Sequence, residues 1–142
     1  GQYDLAQGAY ADVPPADPAR LMADLGRAQA LQSGGQPEVA VEVLTTLARD
    51  YPDAPAVQAA LGDALRRLRR DAEATAAYGR ALDLYAPGDP ALVHVRYARG
   101  ISLFRLDDWP AAEADFRAAL AINPDRHDIL NFLGYSLVER GE

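Results

Sequence analysis

Apolar residues in this chain come in short blocks at helical spacing, separated by proline and glycine. Val39, Ala40, Val43, Leu44 and Leu47 fall on one helical face after Pro37, and Val57, Leu61, Ala64, Leu65 and Leu68 do so in the next block. Ala74, Tyr78, Ala81 and Leu82 make a third stripe. The pattern predicts helices over about 3–12, 18–33, 37–50, 54–68, 71–85, 92–106, 109–122 and 127–140. Asp17-Pro18 and Asp89-Pro90 each read as an N-cap followed by proline in the first turn, and Asp53 reads as the cap of its helix. Arg66, Arg67, Arg69 and Arg70 crowd a helix end, where cations suit the negative pole of the dipole. All ten prolines fall at caps, first turns or linkers; one inside a helix would cost about 3 kcal/mol.

The blocks repeat. Ala6, Ala40, Ala74 and Ala112 lie 34, 34 and 38 residues apart, and Tyr10, Leu44, Tyr78 and Phe116 keep the same intervals. Leu31, Leu65, Leu103 and Leu137 lie 34, 38 and 34 apart, as do Ala28, Gly62, Gly100 and Gly134. One insertion of four residues near Gly88 to Ala91 accounts for every departure from 34. Such periods mark solenoids, in which each helical hairpin touches only its neighbours. Small residues at Gly62, Gly100, Gly134, Ala74 and Ala112 then let paired helices approach closely.

Leu61-Gly62, Leu65, Ala74 and Tyr78 carry one copy of a motif, and Gly100, Leu103, Ala112, Phe116 and Pro124 another; Leu130, Leu133-Gly134 and Leu137 begin a third. On these residues the chain resembles the tetratricopeptide-repeat (TPR) family over almost all its length. It departs most in the first full repeat, where Arg27-Ala28 replaces Leu-Gly, although Pro52 closes that repeat in register. The resemblance implies an all-α fold, a right-handed α-solenoid (superhelix) of antiparallel helix-turn-helix units at 21–54, 55–92 (with the insertion) and 93–126. Residues 1–20 would be the second helix of a truncated unit plus a linker, and 127–142 the first helix of another. The stretch LNFLGYSLVERG is similar to long bacterial multi-repeat TPR proteins, so a fragment of such a protein is expected.

In that family the first helices line a concave groove that holds a peptide. The resemblance assigns this role to Met22, Leu25, Gln29 and Gln32; to Asp63 and Arg66; to His94, Tyr97, Ile101 and Phe104; and to Asp128, Asn131 and Tyr135. Tyr97, Phe104, Tyr135 and Arg66 stand foremost, because aromatic and arginine side chains dominate binding hot spots. A TPR subclass that grips C-terminal carboxylates uses paired Lys and Asn. Here those positions read Leu25, Gln29, Ala60, His94 and Ala98, or one register on Ala59, Asp63, Ala98, Asp128 and Phe132, and neither set forms the clamp.

Composition trims the alternatives. The net charge is −7 and every cation is arginine, which disfavours nucleic-acid partners. Cysteine is absent, and no apolar run approaches the roughly 18 residues of a membrane helix, so no direct membrane insertion is expected. His94 and His127 are the only histidines and have no metal-box neighbours; the carboxylates Asp89, Asp107 and Asp108 sit where caps and turns want them. Neither a phosphate loop nor a serine elbow occurs, so no catalytic residue, metal or cofactor is assigned and the chain is expected not to be an enzyme. The expected function is a protein-interaction scaffold binding a peptide or protein in the groove; the alternative is a structural spacer or self-assembly segment without a ligand. Leu130, Leu133 and Leu137 at one end and Leu5, Tyr10 and Val13 at the other suggest head-to-tail self-association. The resemblance to bacterial TPR proteins implies either the bacterial cytoplasm or the periplasm and envelope, and the absence of cysteine does not choose between them.

Overall fold

The computed structural model describes residues 17–141. The expected helix over 3–12, with Leu5, Tyr10 and Val13, lies outside the described residues. Within them the chain forms seven α-helices and no strand: α1 Pro18–Ser33, α2 Pro37–Asp50, α3 Pro55–Arg67, α4 Asp71–Leu84, α5 Ala91–Arg105, α6 Trp109–Ile122 and α7 His127–Glu139.

Proline opens α1, α2, α3 and α6, where its fixed φ suits the first turn and its missing N–H is no loss. Asp17 Oδ1 accepts from Ala19 N at 2.7 Å and Asp89 Oδ1 from Ala91 N at 2.9 Å, so the Asp-Pro pair caps both helices it precedes. The expected Asp53 cap does not form. Ala54 holds the N-cap position of α3 without a side-chain bond, and Pro55 presets that turn.

The turns between paired helices share one geometry. Gly35, Arg69 and Asp107 there have φ of 79°, 62° and 63°, and Gly141 after α7 has 76°. Beyond the first three, Gln36 N bonds to Leu31 O, Arg70 N to Leu65 O and Asp108 N to Leu103 O at 2.8, 3.0 and 3.0 Å, as in Schellman motifs. This closure reverses the chain within a few residues. It also corrects the expected arginine cluster: only Arg66 and Arg67 lie in the last turn of α3, Arg69 makes the turn, and Arg70 is already the N-cap of α4.

Each helix packs on its chain neighbours, and α1 also meets α3, as α3 meets α5. That nearest-neighbour pattern is an all-α helical-repeat solenoid. Its apolar interior falls into two clusters, one around Leu44, Leu47, Val57 and Tyr78 and one around Phe116, Ile129 and Leu133. The glycine notches are filled by rings: a Cβ on Gly62 would stand 2.6 Å from the Tyr78 ring, and one on Gly100 2.6 Å from the Phe116 ring. Polar clips tie successive pairs. Arg105 Nη2 on α5 donates to Asp71 Oδ1 at the start of α4 at 2.9 Å and to Arg66 O at 3.3 Å; within the first pair, the Tyr51 hydroxyl donates to Asp17 O at 3.1 Å.

Candidate functional site

The first helices α1, α3, α5 and α7 form the face to which the sequence assigns the binding residues. Its middle is polar. Asp63 on α3 and His94 on α5 meet across two helix pairs, with Nε2 3.0 Å from both carboxylate oxygens. The Tyr78 ring, fully buried from α4, lies in the Gly62 notch, and this close approach carries its hydroxyl through to the same carboxylate. That hydroxyl donates to Asp63 Oδ1 at 2.5 Å and accepts from Arg66 Nε at 3.1 Å. Burial opposes ionisation of Asp63, but the hydrogen bond and charge of His94, then Tyr78 and Arg66, hold its carboxyl below the usual range. Burial and the Asp63 charge push the Tyr78 hydroxyl far above the usual tyrosine range, so it stays a donor.

Toward α7 the same face is aromatic. Phe132 is the hub, with ring centroids 5.1 Å from Phe104, 5.2 Å from Phe116, 6.3 Å from Tyr97 and 6.4 Å from Tyr135. Phe104 also meets the edge of Trp109 at 4.4 Å. Such tilted and edge-on contacts lock the rings in place. Tyr97, Ile101 and Phe104 are half-buried against the second core, whereas Tyr135 is 56% exposed and Val138 72%. Arg126 lies 5.9 Å over the Tyr97 ring while its guanidinium forks onto Asp128 at 2.9 and 2.7 Å.

The structure therefore joins the predicted residues into two groups, Asp63 with Arg66 and His94, and Tyr97, Ile101, Phe104 with Tyr135. Asp128 borders the second group through Arg126. Met22, Leu25, Gln29 and Gln32 on α1 and Asn131 on α7 enter neither; Leu25 packs into the first core and Met22 is 68% exposed. Sequence reasoning missed three participants. It read Tyr78 as an inward ring with no role for its hydroxyl, tested Phe132 only as a clamp position, and passed over Arg126.

Elsewhere, a cavity of about 460 Å³ opens on the second-helix side, bordered by Val41, Thr45, Leu61, Leu65 and Ala76. Its charged rim is internally occupied: Arg70 pairs with Glu73 at 2.7 Å, and Arg80 donates to Gln58 Oε1 at 2.9 Å. Among the described residues no group of three or more His, Asp or Glu side chains is placed to hold a metal, and no helix is long and apolar enough to cross a membrane.

These helical hairpins with small-residue notches define a helical-repeat protein. The tetratricopeptide-repeat family model matches residues 25–89 and 97–142, and the chain belongs to that family. No curated protein matches it. Among solved structures, the first TPR of Spaghetti (RPAP3) bound to the HSP90 peptide SRMEEVD is 18% identical, with a TM-score of 0.81 over 89% of this chain and 97% of that one. MamA is 21% identical with a TM-score of 0.80, over 98% of this chain and 79% of that one. A mutant O-GlcNAc transferase of Thermobaculum terrenum is 22% identical with a TM-score of 0.75, over 86% of this chain but 23% of that one.

Proposed function

We propose that this chain is a protein-interaction scaffold whose first-helix face takes a peptide or protein segment, with no catalysis of its own. The observation that carries this reading is the aromatic floor between α5 and α7. Tyr135 stands exposed beside rings already fixed by one another, and Val138 is exposed one turn further along α7, so a ligand side chain seated on those rings meets apolar surface whose ordering entropy is already spent. The peptide held by the similar Spaghetti domain supports the same use of the fold. On this reading the repeating units are 21–54, 55–92 and 93–126, and each contributes one first helix to the surface.

The test is calorimetric titration of selected peptides into the wild-type chain and into a Tyr97→Ala, Tyr135→Ala variant. Affinity in the micromolar range, about −8 kcal/mol, that is lost in the variant is the expected result; binding indifferent to both changes would refute the use of this face. A spacer or self-assembly role is the second reading, favoured by Leu130, 43% exposed, and by Gly134, where an added Cβ meets nothing within 4 Å. Strict monomer behaviour in sedimentation at rising concentration would count against self-assembly.

A further inference from the structure

We infer that the segment this face selects is a cationic stretch of a partner protein carrying an apolar anchor, rather than an acidic tail; the inference rests on the scaffold reading above. The first support is the state of the chain's own cations. At least ten of the 14 arginines lie within ion-pair distance of a carboxylate. The two on the binding face are among them, Arg66 at 3.7 Å from Asp63 and Arg126 at 2.7 Å from Asp128. A carboxylate ligand would have to break one of these pairs, against a chain of net charge −7.

The second support is a row of aspartates along one edge. Asp17, Asp53, Asp89 and Asp125 recur every 36 residues and sit in the turns that enter α1, α3, α5 and α7. The hairpins are antiparallel, so the first helices run parallel to one another and these four turns share an edge of the face. Asp17 and Asp89 cap helices through their side chains, whereas Asp53 and Asp125 are exposed.

Third, the aromatic floor accepts guanidinium already. Arg126 lies 5.9 Å over Tyr97, and Arg140 lies 5.3 Å over Trp109. Ring faces attract cations as well as apolar groups, so the exposed Tyr135 ring suits an arginine or lysine beside an aliphatic or aromatic anchor. The negative edge would then draw the same segment toward the face before contact.

The test is selection of a random-peptide display library on the full chain, followed by affinity measurement on Tyr135→Ser and on Asp53→Lys with Asp125→Lys, all at surface positions. The expected outcome is enrichment of Arg or Lys next to Phe, Trp or Leu, with about tenfold weaker binding in each variant and on raising salt well past physiological strength. Acidic selected peptides that still depend on Tyr135 would overturn the inference and leave the scaffold reading standing. Cationic peptides indifferent to the two aspartate reversals would overturn it as well. Recovery of no peptide, or of binding untouched by Tyr135→Ser, would remove both.

Discussion

In α3–α4 the ring that fills the glycine notch is Tyr78, and in α5–α6 the residue 38 positions on is Phe116. The same shift turns Asp63 and Arg66, which satisfy the tyrosine hydroxyl, into Ile101 and Phe104. It also turns Leu61 and Ala77 into Arg99 and Asp115, so the second pair places these charges in the seam between its helices and leaves apolar Ile101 and Phe104 on its first-helix face. Asp115, 1% exposed, accepts from Arg99 Nε at 2.7 Å, Arg99 Nη2 at 2.8 Å and Arg96 Nη1 at 3.0 Å. Both arrangements keep the glycine and the six-membered ring. What the fold requires is therefore the volume in the notch, while polarity is free to move from one side of the hairpin to the other if each group finds a partner.

The strongest way to break this comparison is to exchange the seam. Asp115→Ala alone leaves two arginine heads without their carboxylate and is expected to lower unfolding free energy by about 3 kcal/mol. Adding Arg99→Leu restores the composition found at Leu61 and Ala77, and stability in denaturant titrations should return to within about 1 kcal/mol of wild type. A double variant no better than the single one would show that the two seams are not interchangeable.

The notches come next. Gly62→Ala and Gly100→Ala each force a ring to move from a Cβ at 2.6 Å, and each should cost about 1–3 kcal/mol through overpacking. Gly134→Ala meets nothing within 4 Å, so only helix propensity acts and thermal unfolding should shift upward by about 0.5–1 kcal/mol equivalent. Three equal responses would mean that propensity, not ring packing, explains glycine at these positions.

The helices and their order were legible because proline, glycine and apolar spacing are local signals that repeat. Asp53 shows the limit of such signals: an aspartate before a proline-led helix suggests a cap, yet Ala54 intervenes and Pro55 makes the cap unnecessary. The seam was invisible for a different reason. Arg99 and Asp115 lie 16 residues apart on two helices, and Arg105 and Asp71 lie 34 apart, so no helical-face pattern pairs them. The candidate site was legible as a set of positions, since the first-helix rows follow from the period. Its division into a polar middle and an aromatic end was not, because that depends on where the Tyr78 hydroxyl and the Phe132 ring emerge.

Swapping the notch rings sharpens the comparison on the first-helix face itself. Phe116→Tyr would send a hydroxyl toward Ile101 and Phe104, the counterparts of Asp63 and Arg66, and should cost about 1–2 kcal/mol; Tyr78→Phe, which leaves Asp63 bonded to His94, should cost about 1 kcal/mol. The polar middle also has a pH signature. Because the Asp63 carboxyl is held below its usual range, its contribution is fully present above the unfolded value of about 3.9 and is lost as pH falls through the lower folded value. His94→Gln removes the first of the interactions that lower it, so the carboxyl resonance of Asp63 should titrate at higher pH in that variant. An unmoved titration would show that Tyr78 and Arg66 hold the carboxylate unaided.

The smallest expected effect distinguishes the two hairpin turns. Arg69 and Asp107 occupy the left-handed position that Gly35 and Gly141 fill elsewhere. A side chain there crowds its own backbone by about 1–2 kcal/mol, less for aspartate, whose short polar group tolerates the conformation. Glycine relieves that strain but gives the unfolded chain more freedom. Arg69→Gly should therefore raise stability by about 0.5–1 kcal/mol and Asp107→Gly by only a few tenths, read from paired denaturant midpoints. If the two gains were equal, side-chain identity at the turn would carry no strain difference. The contrast between the hairpins would then reside wholly in the seams and notches.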